Sequence, residues 1–140
     1  MSVRIARISA EPLDVAAHLD AVSASRMGAI TTFIGTVRDA DPEALGPVVA
    51  LEYTAHPDAE ATLRRLADAV DAPGIAIAVS HRTGRLDIGE PAVVIAVASG
   101  HRDEAFVACR ALIEAIKAEL PVWKRQVEAD GTTAWKGLGG

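Results

Sequence analysis

A single cysteine, Cys109, occurs in 140 residues. No disulfide can close within the chain, and nothing points to an oxidising compartment. Aromatic residues make up 4% of a sequence that is 50% hydrophobic, which leaves the core to Ala, Val, Ile and Leu. The longest unbroken apolar run, Ala92–Ala98, falls far short of the roughly 18 residues that a membrane span needs. The opening Met-Ser-Val-Arg-Ile-Ala-Arg carries no apolar h-region of the signal-peptide kind. His18, His56, His81 and His101 are scattered, without metal-ligand spacing, beside that lone thiol, which argues against zinc. No phosphate loop, Gly-x-Gly-x-x-Gly or Gly-x-Ser-x-Gly motif is present. A net charge of −5 speaks against a general nucleic-acid surface. The expectation is a soluble, cytoplasmic protein with no metal, no nucleic-acid partner and no membrane anchor.

What is present fits one domain over residues 1–140, long enough for a real core. Val3–Ile8 alternates as a short strand. A helix is predicted from Pro12, with Leu13, Ala16, Leu19 and Val22 on one face. Gly28–Val37 is β-branched and reads as a strand, and Val48–Thr54 as another with Val49, Leu51 and Tyr53 on one side. Between them, the acids and prolines of residues 39–47 suggest a flexible loop. Pro57–Val70 has a helical stripe of Leu63, Leu66, Ala67 and Val70, stopped by Asp71-Ala-Pro-Gly. Ile75–His81 and Pro91–Ala98 read as strands, and Arg82–Glu90 has room for a short strand and a turn. A long helix follows over Arg102–Glu119, with Phe106, Cys109, Ile113, Ile116 and Leu120 on its apolar face and Pro121 beyond its end. Cys109 on that face reads as a buried, inert thiol. Val122–Glu128 and Thr132–Trp135 form a closing hairpin, and residues 136–140 a tail. Helices are too few and too scattered for a doubly wound sheet, so the fold class is α+β with mostly antiparallel strands.

Basic residues stand out against the acidic average. His101 and Arg102 follow Ser99-Gly100 at a helix entrance, where free N–H groups and the helix dipole attract anions. An exposed helix-entry pair explains them about equally well. Lys117 shares a helix face with Asp103, Arg110 and Glu114, and on pattern alone that face is solvated, with Arg110 and Glu114 paired. Yet Lys117 lies one turn from Pro121 and near Trp123-Lys124-Arg125. A lysine partly desolvated among cations has a depressed pKa and serves as nucleophile or base. Lys124 and Arg125 would face opposite sides of a strand, so only one of them should face a given pocket. Arg38 ends its strand either as an ordinary surface arginine or as a fork for phosphate or carboxylate. His101 and Lys117 are sixteen residues apart, roughly 24 Å along a straight helix. One small ligand cannot touch both in one chain, whereas a two-fold dimer can bring the helix start of one copy to the helix end of the other.

Four short motifs, Phe33-Ile-Gly-Thr-Val-Arg-Asp39, His81-Arg-Thr-Gly-Arg-Leu-Asp-Ile-Gly-Glu90, Ser99-Gly-His-Arg102, and Lys117 followed by Pro121-Val-Trp-Lys-Arg125, together resemble the catalytic, large subunit of molybdopterin synthase. The resemblance runs from Gly28 to Trp135. It implies an α/β hammerhead with an additional antiparallel β-sheet, and a homodimer carrying a small ubiquitin-like sulfur-carrier subunit at each end, a heterotetramer. The carrier's Gly-Gly tail ends in a thiocarboxylate, and sulfur passes twice to cyclic pyranopterin monophosphate, forming the dithiolene of molybdopterin. No metal or redox cofactor is implied, because the sulfur arrives activated. Carried over by position, Lys117 and Lys124 are catalytic; Thr36, Val37, Arg38 and Arg125 bind substrate, as do His101 and Arg102 from the other protomer. The residue after Lys-Arg, often an acid in the family, is Gln126 here. The chain's own Gly137-Leu-Gly-Gly140 end looks like a carrier tail, and a flexible terminus explains it more simply. The alternative function is a non-catalytic module that binds a ubiquitin-like tail.

Overall fold

The computed structural model describes residues 2–40, 47–131 and 133–137. In chain order its elements are β1 (Val3–Ser9), α1 (Val15–Val22), β2 (Ala29–Thr36), β3 (Val48–Ala55), α2 (Ala59–Val70), β4 (Ala76–Arg82), β5 (Gly84–Asp87), β6 (Pro91–Ser99), α3 (Arg102–Glu119), β7 (Val122–Glu128) and β8 (Thr133–Gly137). The expected loop at 39–47 falls mostly on residues outside the described set. So do the last three positions of the expected tail, whose first two residues continue β8.

Two four-stranded sheets carry the fold, with strand orders β1-β4-β6-β2 and β5-β3-β7-β8. Every pairing is antiparallel except β1 with β4. β4 and β6 are the buried centre of the first sheet, and their residues sort by size onto its two faces. Ile77 and Val79 on β4, with Val93, Ile95 and Val97 on β6, pack against α2 and α3 in the main core. Ala76, Ala78, Ala96 and Ala98 face α1 and Val22 in a second cluster. Small side chains let α1 lie close to the sheet, and one polar link crosses that contact: buried His18 places Nε2 2.8 Å from the Ser80 hydroxyl. A third cluster of Val37, Val48, Leu51, Leu86 and Ala92 joins the two sheets.

Three expectations are corrected. Val49 does not lie with Leu51 and Tyr53: the β3–β7 register shifts between Val48 and Ala50, so Val48 is buried beside Leu51 and Val49 is exposed. Helix α1 begins at Val15 and not near Pro12, because the Asp14 carboxylate caps it by accepting the Ala17 N–H at 3.1 Å. Phe106 does not face the core. It is 58% exposed, and the buried stripe of α3 is Ala105, Ala108, Cys109, Leu112 and Ile116. Alanines at that contact seat the helix tightly on the sheet and turn Phe106 and Val107 outward. Cys109 is buried as expected, and burial pushes its thiol up to about 11. Arg110 and Glu114 pair at 3.2 Å. No helix among the described residues is long and apolar enough to cross a membrane.

The entrance to α3 depends on a close backbone approach. A methyl group on Gly28 would stand 2.5 Å from the Gly100 carbonyl oxygen. The Ser99 hydroxyl, one residue earlier, donates to the His101 carbonyl. Gly28→Ala is therefore expected to push the β6–α3 turn away from β2 and to destabilise the fold by about 1–3 kcal/mol. A lowered urea midpoint with an unchanged slope checks this.

Candidate functional site

Where the two sheets meet the last turn of α3, they enclose a cavity of about 250 Å³. Its first wall is the end of the β4-β6-β2 sheet. The side-chain alternation that sends Ile77 and Val79 into the core brings His81 to the same face. Val93 pairs with both His81 and Gly35. Gly35 leaves room for that valine, since a Cβ there would stand 2.8 Å from Val93 Cγ1. Past β2, the Val37 side chain is buried in the joint between the sheets. Its N–H donates to the Glu90 carbonyl at 3.1 Å, and its carbonyl accepts the Gly89 N–H at 2.8 Å. With Val37 pinned inward, Thr36 and Arg38 on either side line the cavity. Glu90 is held in turn by Arg82, whose guanidinium reaches its carboxylate at 2.9 Å.

The second wall is the β3–β7 pair. Tyr53 lies opposite Lys124 and Leu51 opposite Gln126, and all four line the cavity. Glu52 lies opposite Arg125 on the reverse face. There the Arg125 guanidinium meets both Glu52 carboxylate oxygens at 2.9 Å and sits 5.2 Å from the Trp135 ring centroid. Only one of Lys124 and Arg125 faces the cavity, and it is Lys124. The last turn of α3 supplies Lys117, just before the chain turns at Leu120, whose N–H donates to the Ile116 carbonyl.

The cavity thus collects Thr36, Arg38, Lys117 and Lys124 from the expected set. Val37 supports it from behind, and Arg125 lies outside it. His101 and Arg102 are exposed at the opposite end of α3 and do not line it. His81, Tyr53 and Gln126 are wall residues that sequence reasoning did not select. The signal for His81 was its place on the apolar alternation of β4.

Electrostatics follow from this enclosure. Desolvation lowers the Lys117 pKa, and the charge of Lys124 lowers it further. Burial raises the Tyr53 hydroxyl to about 12, so it keeps its proton. Burial also lowers His81 to about 4, helped by the Lys117 charge and opposed by the bond to the Arg82 carbonyl. Among the described residues, no cluster of His, Cys, Asp and Glu is arranged to hold a metal ion. A more open hollow of about 520 Å³ lies on the far side of Tyr53, lined by His56, Glu60 and Thr83 among others. It lacks the lysines, and Glu60 there accepts the Ile8 N–H at 3.0 Å. Chemically, the smaller cavity suits a small anion held by fixed cations, beside an amine that gives up its proton more readily than an ordinary lysine.

Residues 8–119 match the model of the MoaE protein family. The chain belongs to that family. A molybdopterin synthase catalytic subunit 1 of Mycobacterium tuberculosis is 40% identical over 136 residues, covering 94% of this chain and 89% of that protein. The crystal structure of molybdopterin synthase from Staphylococcus aureus superimposes with a TM-score of 0.86 at 34% identity, covering 93% of this chain and 95% of that one. A complex of subunits 1 and 2 of molybdopterin-converting factor from Helicobacter pylori shares the fold, with a TM-score of 0.74 at 18% identity over 96% of this chain and 90% of that one. For this MoaE family member, residues 8–119 take in β2, β4, β6 and α3, and so Arg38, His81 and Lys117, but not Lys124.

Stability should record the burial of His81. A ring that titrates at about 4 when folded and 6.5 when unfolded binds more protons in the unfolded state between those values. Folding stability is then complete above pH 6.5 and falls as pH drops toward 4, by about 3 kcal/mol in all. His81→Gln is expected to flatten that slope in denaturation curves collected across pH 4–7.

Proposed function

We propose that this chain is the catalytic subunit of a molybdopterin synthase. It takes sulfur from the thiocarboxylated C-terminus of a small ubiquitin-like carrier and delivers it to cyclic pyranopterin monophosphate, a sulfurtransferase reaction that builds the dithiolene of molybdopterin. The observation that carries this reading is the cavity in which Arg38, Lys117 and Lys124 converge, in a chain about 40% identical to a protein of that name. The two-sheet arrangement supports an α/β hammerhead with an added antiparallel sheet.

The residue chemistry supports specific roles. The substrate brings a cyclic phosphate and the donor a thiocarboxylate, both anions. Arg38, from the end of β2, forks onto negative oxygens through charge-assisted bonds, with the Thr36 hydroxyl beside it. In each transfer the carrier's sulfur displaces an oxygen from a substrate carbon, so that a carbon–sulfur bond forms as a carbon–oxygen bond breaks; water then cleaves the carrier's acyl–sulfur bond, leaving the sulfur on the substrate and a carboxylate on the carrier. Lys117 is neutral for more of the time than an ordinary lysine, so it takes a proton as the bond to sulfur forms and returns one as the carboxylate leaves. Lys124 holds the incoming tail or the substrate and keeps the Lys117 pKa low. His101 and Arg102 serve the cavity of a second copy. Their distance from Lys117, roughly 24 Å along α3, supports that homodimer, with one carrier bound to each half.

Two outcomes test the roles. Lys117→Ala should abolish dithiolene formation from thiocarboxylated carrier and cyclic pterin while leaving carrier affinity largely intact; near-normal turnover overturns the assignment. Lys124→Ala should lower turnover and also move the rising limb of the kcat–pH profile to higher pH, because removing the neighbouring charge lets Lys117 hold its proton longer. An unmoved limb would separate Lys124 from Lys117.

A further inference from the structure

The charged groups of the cavity wall, Arg38, Lys117 and Lys124, can only donate hydrogen bonds when protonated. His81 is their complement. Its Nδ1 lies 2.9 Å from the Arg82 carbonyl oxygen. A carbonyl only accepts, so Nδ1 carries the proton and Nε2 carries the lone pair. The ring is held in place by strand pairing of His81 with Val93 and by an edge contact with Tyr53, 5.1 Å between centroids at 75°. Burial keeps it neutral near pH 7, with a pKa of about 4. His81 is 2% exposed and lines the cavity; with Nδ1 engaged by the Arg82 carbonyl, Nε2 is the ring nitrogen left for a ligand there.

A phosphodiester, a sulfate or a carboxylate offers such an atom nothing, since each is fully ionised at neutral pH and only accepts. A ligand that carries ring N–H groups beside its anionic group satisfies the cations and the imidazole together. We propose that His81 is a specificity-determining residue, accepting through Nε2 a hydrogen bond from a ring N–H of a heterocyclic, anionic substrate. The inference rests on the pterin substrate assigned above and divides the labour of recognition. Arg38 and the lysines select the anion; His81 selects the heterocycle. An imidazole suits the position better than a carboxylate. It accepts without adding a negative charge beside Lys117, and a negative charge there would raise the lysine pKa again.

The test compares wild type, His81→Phe and His81→Gln by the fluorescence change on binding cyclic pyranopterin monophosphate and by competition with inorganic sulfate, an anion with no hydrogen to donate. His81→Phe should weaken pterin binding by about tenfold, the worth of one buried hydrogen bond, and leave sulfate competition within about twofold. His81→Gln restores an acceptor and should recover most of the loss. Unchanged pterin binding in His81→Phe, an equal loss for pterin and sulfate, or no recovery in His81→Gln each overturns the proposal. A measurement on the wild-type protein guards against misfolded variants. The ¹⁵N resonance of His81 Nε2 should shift upfield on adding the pterin and stay put with sulfate, and a resonance that ignores the pterin overturns the proposal equally. The dithiolene assay separates this inference from the reaction. Pterin binding that depends on His81 without turnover removes the reaction and leaves His81's role standing; turnover by His81→Phe at the wild-type KM does the reverse.

Discussion

The pairing of β3 with β7 sets Tyr53 against Lys124 and Leu51 against Gln126, and the chemistry of the cavity follows from that register. A slip of one residue would turn Arg125 inward and Lys124 out, since side chains alternate strictly along a strand. Several interactions hold the register. Glu52 and Arg125 pair across the outer face, Trp135 lies over the guanidinium from β8, and Leu51 is buried with Leu86 and Val37 in the joint between the sheets. Arg125 thus has a structural task that keeps it out of the cavity and keeps Lys124 in it.

The remaining wall is built by the same device on other strands. Val37 is anchored through its backbone to the β5–β6 turn, which leaves Thr36 and Arg38 to face the cavity. The β4 alternation that fills the core with Ile77 and Val79 ends on His81. Alanines beneath α3 seat the helix close to the sheet, and its last turn then delivers Lys117. Each functional group stands one step beyond a stretch of core, so its position is as rigid as the packing behind it. This rigidity matters for Lys117, because its depressed pKa depends on continued partial burial and on the nearness of Lys124.

Much of this architecture was legible in the amino-acid order. Period-two alternation located β1 and β3, β-branched composition marked β2, an unbroken apolar run marked β6, and helical spacing marked α2 and α3. Misjudgements arose where a local polar group outweighed the pattern: Asp14 caps α1 later than Pro12 suggested. At α3 the choice between two adjacent apolar stripes depended on the depth to which small residues let the helix settle. Phe106 lost that choice because bulk at a close helix–sheet contact costs more than exposing one ring.

The order of residues by itself determined that the chain is cation-bearing at both ends of one helix, that only one of Lys124 and Arg125 can face a given pocket, and that His101 and Lys117 cannot share a ligand within one copy. These are consequences of fixed helical rise and strand alternation, properties of local geometry. Only the tertiary structure decided which of the pair faces inward, that Arg38 joins Lys117 and Lys124 in one cavity, and that His81 stands with them as a neutral acceptor. Such facts depend on strand register and on desolvation, and both arise from contacts between segments far apart in the chain.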